Sequence, residues 1–472
     1  MQTPFIFLIV GLIVACNARQ DFNLTILHTF GVISSFEQFD SSGDECSPEE
    51  NQNGECFGGV ARRGTAINGV RNEGDDINVC LLDSGNPFTG GLPTWFDHYK
   101  GRATSYFMNQ LGYDAMTLGN QEFLLGPAFL GIFLDEATFD VLSANFNSTT
   151  APALQRRIGK SAVKMFGDER VGVIGYGSQA FNGMGNIANV LDDPIEAIQT
   201  EVDALTSMGV NKIIVLGQSS GSGVEETEVA EIARTISGVD IIVIGGLDIY
   251  QYDDDCTSCS PPVDVPENFN LEPYPIVITP NDDPNGKVLI VHGYHTAKYL
   301  GRLDVTFDEE GKVEDFNGGP ILLDKDVEQD PPLLEEIMEW AEPISNPNDP
   351  VIVGRADVFL EGGGTPRNNP IIPCRQQECN LGNLLADAMI WKCLESLTEE
   401  EALNASIIAF MNGGGIRDNI NEGDIYYESD IKAVLPFSNT FDSVELEGRY
   451  VREMLEQAVS AGVGSFQDGF FK

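Results

Sequence analysis

What most constrains this chain is a rhythm between residues 22 and 328. Short apolar runs end repeatedly in Gly, Asp, Asn or Ser: "NVCLLDSGN", "DAMTLGNQEF", "FDVLSANFN", "VGVIGYGS", "KIIVLGQSS" and "VDIIVIGGLD". Between several of them lie longer segments, "EAIQTEVDALTSMG" and "EETEVAEIARTISG", with the 3.6-residue period of amphipathic helices and a terminal Gly. Strand, helix and strand in alternation predict an α/β fold with a mainly buried sheet. In such sheets, sites gather on the loops that leave the carboxyl ends of the strands. The polar residues just after each run are therefore the candidates for function.

The segment "DPPLLEEIMEWAEPISNPNDP", residues 330–350, reads as a helix followed by a Pro/Asn-rich break. It predicts a first domain over 22–328, a linker helix over 329–350 and a second domain over 351–472. The second domain holds an amphipathic helix, "NLGNLLADAMIWKCLESL", and a strand entering a Gly-rich loop, "ASIIAFMNGGGIRDNI". "IKAVLPFSNTFDSVELEG" predicts a further strand region. At the N-terminus an apolar run from Phe5 to Cys16 precedes the small residue Ala18. That run is too short to span a bilayer and predicts a cleaved signal peptide over 1–18, although its first residues lack Lys or Arg. No other segment is apolar for 18 residues, and "SFQDGFFK" offers no hydrophobic tail for a lipid anchor. A soluble, secreted, extracellular protein without a membrane anchor is expected.

Charge narrows the partners. Acidic residues number 73 and basic residues 27, a net charge of -46. Such a field excludes nucleic acid and anionic membranes as natural partners, and it opposes polyanions such as ATP unless a metal or basic pocket offsets it. An acidic matrix protein binding Ca²⁺ weakly through surface carboxylates is one reading of this charge, but no long acidic run supports it. Of nine cysteines, Cys16 lies in the leader. In an oxidising compartment Cys46 with Cys56, and Cys374 with Cys379, form two local candidate pairs. Cys256 and Cys259, in "CTSC", fit a structural disulfide or a metal or redox motif, while Cys80 reads as a buried free thiol. Glycosylation sequons stand at Asn23, Asn147 and Asn404.

Seven motifs in order, "LTILHT", "GGVARRGTAI", "LLDSGNPFTG", "YKGRATSYFMNQLGYDAMTLGNQEF", "NLGNLLADAMI", "NGGGIRD" and "AVLPFSNTFD", resemble the secreted 5'-nucleotidase/apyrase family. The resemblance covers nearly the whole mature chain. It implies a calcineurin-like metallophosphoesterase β-sandwich flanked by helices, followed by a smaller α/β nucleotide-binding domain that is shorter here than in the family. It also implies two divalent metals, typically zinc, clamping phosphoryl oxygens. Carried over one at a time, the family's ligand positions hold Gly31, Ile33, Asn86, Asn120, Gln218 and Leu247. Its catalytic His and the Asp that orients it are replaced by Gln121 and Leu124. Only Asn120 is kept, and neutral amides bring no charge to offset two divalent ions. Four histidines remain. His28 reads as core and His98 as surface, while His292 and His295, three apart on a predicted strand, point to opposite faces. A replacement metal site is not expected, and no cofactor is predicted.

In the second domain the resemblance implies substrate contacts from Arg375, Asn412, Arg417 and Phe437. The same Asn and Arg residues also suit loop hydrogen bonding around a Gly-rich turn. The expectation is an inactive homologue that binds an extracellular protein, or a nucleotide or nucleoside weakly. The alternative is a residual nucleotidase acting on ATP, ADP or AMP with an unusual metal arrangement.

Overall fold

A computed structural model describes residues 21–460 and 470–471, except 42, 75–76, 89–92, 125–126, 152–153, 155–156, 183–189, 222, 226, 253–259, 261, 264, 266–268, 346–351, 363–373, 375–376, 396–406, 424, 438 and 440–441. The signal-peptide, Cys256, Cys259, Arg375 and Asn404 readings lie outside the described residues.

Among the described residues of 22–322 the strands are β1 (Phe22–Thr29), β2 (Val79–Asp83), β3 (Ala115–Thr117), β4 (Asp140–Leu142), β5 (Ser161–Phe166), β6 (Glu169–Gly177), β7 (Ile213–Gly221), β8 (Ile241–Leu247), β9 (Ile249–Gln251), β10 (Asn270–Glu272), β11 (Ile276–Ile278), β12 (Val288–His292), β13 (Tyr299–Phe307) and β14 (Val313–Leu322). They build two six-stranded sheets, ordered β14-β13-β1-β2-β3-β4 and β11-β12-β8-β7-β6-β5, and a small β10-β9 pair. The parallel neighbours are in simple register, Thr25 opposite Val79 and Ile214 opposite Ile241.

Alternation along the strands explains why the runs are apolar throughout. Leu24, Ile26, Cys80 and Leu82 point inward, where they meet Val173, Ile214, Leu216, Ile241 and Val243 of the second sheet in one core. Their neighbours Leu27 and Leu81 point outward into a second core, with helical residues such as Ile67, Phe107 and Phe133. Ile242 and Ile244 likewise face Ile198, Val202 and Ile232 on the far side. Two sheets packed face to face, each with helices on its outer face, form a four-layer α/β sandwich, the architecture that the resemblance implies. Removing any one of these fully buried aliphatic side chains costs about 2–5 kcal/mol.

Local chemistry sets the helix boundaries. Helix Pro194–Ser207 starts at Asp193, whose side chain accepts from the Ile195 N–H at 2.9 Å, with Pro194 in the first turn. Helix Pro331–Ser345 contributes Ile337 and Ala341 to the first domain's helical core. The Tyr99 hydroxyl also donates to the Trp340 carbonyl at 2.7 Å.

The C-terminal part has its own small core of Cys374, Cys379, Leu381, Ile416, Ile420 and Val434. Its amphipathic helix runs Asn380–Glu395 as expected. The strand expected in "IKAVLPFSNTF" is instead a helix, Glu428–Val434, followed by a turn at Phe437. Ile431, Val434 and Leu435, spaced three and one apart, all reach that core from helical geometry. Cys46–Cys56 and Cys374–Cys379 are disulfides with Cα separations of 5.9 and 5.1 Å, and Cys80 is a buried free thiol. Among the described residues no helix is long and apolar enough to cross a membrane.

Candidate functional site

The loops leaving β1, β2, β3, β7 and β8 converge at one end of the sandwich. After β1 the chain turns at Gly31, with φ +55°, and its N–H donates to the Gly85 carbonyl at 2.9 Å. The Ile33 N–H donates to the Asn86 carbonyl at 3.2 Å, which ties this loop to the one after β2. Ile33 and Asn86 sit at φ +46° and +60°. Asn tolerates the left-handed region, whereas a β-branched residue there is strained.

Three of the carried-over positions form a closed amide cluster. The Asn86 Nδ2 donates to Asn120 Oδ1 at 2.8 Å, and Gln218 Nε2 donates to the same oxygen at 3.2 Å. Asn86 Oδ1 accepts from the Gln121 N–H at 3.1 Å, and Gln218 Oε1 accepts from the Asn120 N–H at 2.6 Å. The two backbone donors fix which end of each outer amide is oxygen. Asn86 and Gln218 are buried, while Asn120 and Gln121 are half-buried at the start of the short helix Asn120–Leu124. Gly119 lies beneath the cluster, and a Cβ there would collide with Asn86 Oδ1 and Gln218 Oε1. The Leu247 N–H donates to His292 Nε2 at 3.2 Å. Nothing is described of the Leu124 side chain.

These residues do not fit the metal pair that the resemblance implies. Gly31, Ile33 and Leu247 supply no side-chain donor. Every amide oxygen of the remaining three already accepts a hydrogen bond from within the cluster. Two divalent ions need anionic or imidazole ligands in open geometry. Among the described residues, no group of three or more His, Cys, Asp or Glu side chains could hold a metal ion.

Two carboxyls beneath the cluster were missed at the sequence level. Glu122 is buried, and its Oε2 accepts from the N–H groups of Gly119 at 2.7 Å and Asn86 at 3.0 Å. Asp83 accepts from Thr29 Oγ1 at 2.6 Å and from the Gly85 N–H at 2.8 Å, and Thr29 Oγ1 also meets the Tyr113 hydroxyl at 2.8 Å. Burial pushes both carboxyls up to about 7, against the opposing pull of those hydrogen bonds. The signal that could have found them is their place inside "LLDSGN" and "GNQEF".

His292 and His295 depart from expectation, whereas His28 is core and His98 exposed as expected. β12 ends at His292, and His295 opens a 3-10 turn, His295–Ala297, so strand alternation does not apply to the pair. His292 is buried and His295 half-buried, and desolvation is the main reason their imidazoles fall to about 3 and about 4, followed for His292 by the proximity of His28. His28 falls to about 3 by burial alone, with its Nε2 at 2.8 Å from the Tyr274 hydroxyl.

In the C-terminal part, strand Met411–Asn412 leads into the 3-10 turn Gly413–Gly415. The Arg417 N–H donates to the Val434 carbonyl at 2.9 Å, and its Nη1 donates to the Gly414 carbonyl at 3.3 Å. The guanidinium lies 5.5 Å from the Phe437 ring centroid. Arg417 and Phe437 thus come together, and Asn412 heads the same loop.

Comparisons with known proteins agree with this architecture. Residues 352–470 match the family described as 5'-nucleotidase, C-terminal domain. The chain is similar to 5'-nucleotidase of Bos taurus, 37% identical over 450 residues, covering 94% of this chain and 73% of that one. To the snake venom 5'-nucleotidase of Naja atra it is 37% identical over 446 residues, covering 93% and 78%. The crystal structure of a 5'-nucleotidase precursor from Thermus thermophilus superposes with a TM-score of 0.69 at 32% identity, covering 89% of this chain and 75% of that one. A calcineurin-like phosphoesterase from Bacillus subtilis, 21% identical with a TM-score of 0.51 over 69% of this chain and 98% of that one, shares the fold.

Proposed function

The chain belongs to the 5'-nucleotidase family, and from that premise we propose that it is a secreted member whose first domain no longer hydrolyses nucleotides and which acts by binding. The observation that supports this reading is the amide cluster: Asn86, Asn120 and Gln218, three of the positions that the resemblance equates with metal ligands, are neutral side chains that hydrogen-bond to one another. A single replaced ligand would weaken a metal pair. Here the acid–base position Gln121 and the ligand positions Gly31, Ile33, Asn86, Gln218 and Leu247 are altered together.

What remains for recognition is in the second domain. Arg417 supplies a positive charge and Phe437 a stacking face, and both suit a nucleotide or nucleoside. With a net charge of -46 the phosphates gain little, so weak binding to the base is expected. Secretion fits the signal-like N-terminus, and sequons at the exposed Asn23 and half-buried Asn147 fit a glycoprotein. The deciding experiment is phosphate release from AMP, ADP and ATP with Mg²⁺, Ca²⁺, Zn²⁺, Mn²⁺ or Co²⁺, beside elemental analysis of the purified protein. Background release and no stoichiometric transition metal are the expected results. EDTA-sensitive turnover that Asn86→Ala also abolishes would overturn the proposal in favour of a residual nucleotidase.

A further inference from the structure

We propose that the cluster of Asn86, Asn120 and Gln218 has taken over the metal pair's mechanical task, fastening the loops after β2 and β3 to strand β7 by a directional lock of neutral amides. This inference rests on the reading that the metal site is lost, and it adds what replaced the metals and at what constraint.

The lock is directional because two backbone donors anchor it. The Gln121 N–H holds Asn86 Oδ1, so the Asn86 NH₂ must point at Asn120. The Asn120 N–H holds Gln218 Oε1, so the Gln218 NH₂ must point at Asn120 too. One acceptor, Asn120 Oδ1, receives both. The two loops and β7 are joined without any charged group in the cluster, and Glu122 reinforces the loops from below through the N–H groups of Asn86 and Gly119.

This arrangement rejects the family's own residue when that residue is restored alone. An Asp at position 86 presents oxygen to Asn120 Oδ1. Turning the Asn120 amide satisfies the new carboxylate but sets its NH₂ against that of Gln218. Gln218 cannot turn in response, because its oxygen holds the Asn120 N–H. Each arrangement loses one bond and buries a charge. Two consequences follow. The folded state needs no divalent cation, and Asn86→Asp lowers stability whether or not a cation is present.

The test is thermal unfolding of the full-length secreted protein in EDTA, in ZnCl₂ and in MnCl₂, for wild type and Asn86→Asp. A ligand that binds only the folded state raises the midpoint as its concentration exceeds its dissociation constant. The wild-type midpoint is expected to be the same in all three media. The midpoint of Asn86→Asp should fall by roughly 4 °C or more in each. An Asn86→Asp midpoint at or above wild type would overturn the lock while leaving the loss of the metal site standing. A saturable rise with ZnCl₂ or MnCl₂ in wild type would overturn both. Should Asn86→Asp fail to accumulate, hydrogen exchange across Gly119–Phe123 in wild type decides. Slow exchange at the Asn120 and Gln121 amides is expected, and exchange at the rate of an open loop refutes the lock.

Discussion

The Gly119→Ala substitution tests the packing of the cluster most directly. An added methyl would collide with Asn86 Oδ1 and Gln218 Oε1 at once. Restoring ordinary carbon–oxygen contact requires each amide to retreat by about 1 Å. The Gln121 N–H to Asn86 bond is 3.1 Å and the Asn120 N–H to Gln218 bond is 2.6 Å, so such a retreat takes both to or beyond the limit of a hydrogen bond. Each largely buried N–H left without its partner costs about 1–3 kcal/mol. Replacing Gly by Ala returns about 0.4–1 kcal/mol through the unfolded chain. A net loss of about 1.5–5 kcal/mol is expected, the lower part applying if water reaches the half-buried Asn120 and Gln121 amides. Urea unfolding followed by intrinsic fluorescence measures it as a fall in midpoint at constant slope. Gly69→Ala is the control, because Gly69 is exposed in helix Val60–Arg71 with no atom within 4 Å of its added methyl. The control should gain about 0.5–1 kcal/mol. Equal midpoint shifts for the two variants would refute the claim that the amides are packed and engaged as described.

Further outcomes follow from the same structure. Asp83 and Glu122 carry folded-state values raised to about 7, so their contribution to stability is present below ~4 and lost as pH rises through about 7. Glu122→Gln keeps an acceptor for both backbone N–H groups and removes one titration. Relative to wild type it should therefore be more favourable at pH 8 than at pH 5, and urea midpoints showing the reverse order would contradict the assignment. The buried histidines titrate in the opposite sense, since values lowered to about 3 to 4 lose stability as pH falls below ~6.5, but that term cancels in the variant-minus-wild-type difference. Phe437→Ala should weaken adenosine binding about tenfold to a hundredfold, from a stacking contribution of about 1–3 kcal/mol. Calorimetry with adenosine, AMP and ATP checks this, and submicromolar ATP binding lost in Arg417→Ala would show charge, not stacking, to be in control. Cys46→Ser opens a loop of 10 residues and should cost about 2–3 kcal/mol, read by the same urea assay under non-reducing conditions. No change in midpoint there would remove the disulfide from the account of stability.

The parts of this molecule that were legible in the sequence are those fixed by burial on both sides of a strand. Leu81 and Leu82 face different cores. So does Val243 from its two neighbours, Ile242 and Ile244, which leaves continuous apolar runs that announce themselves. That Asn86, Asn120 and Gln218 stand just after apolar runs was legible as well. What a linear reading could not supply was their mutual engagement, since Asn86, Asn120 and Gln218 meet only where the loops after β2 and β3 of one sheet approach β7 of the other. His292 and His295 were misread for a related reason: a strand terminus is decided by Tyr294 and the turn beyond it, not by the two histidines. The helix at Glu428–Val434 was hidden by the β-favouring look of "AVLPF", where the Pro436 that follows the helix ends it.

Backbone and side chain disagree at one position in the cluster's rim. Asn86 at φ +60° and Gly31 at φ +55° suit their left-handed conformations, but Ile33 at φ +46° does not. A loop built around an isoleucine would avoid that region. The loop is held there by other bonds, the Ile33 N–H to the Asn86 carbonyl and the Ser34 N–H to the Pro87 carbonyl at 2.9 Å. The conformation is therefore set by the surrounding backbone hydrogen bonds, and the Ile33 side chain tolerates it. Strain of this kind is sustained where surrounding structure over-determines the backbone, and it costs on the order of 1–3 kcal/mol.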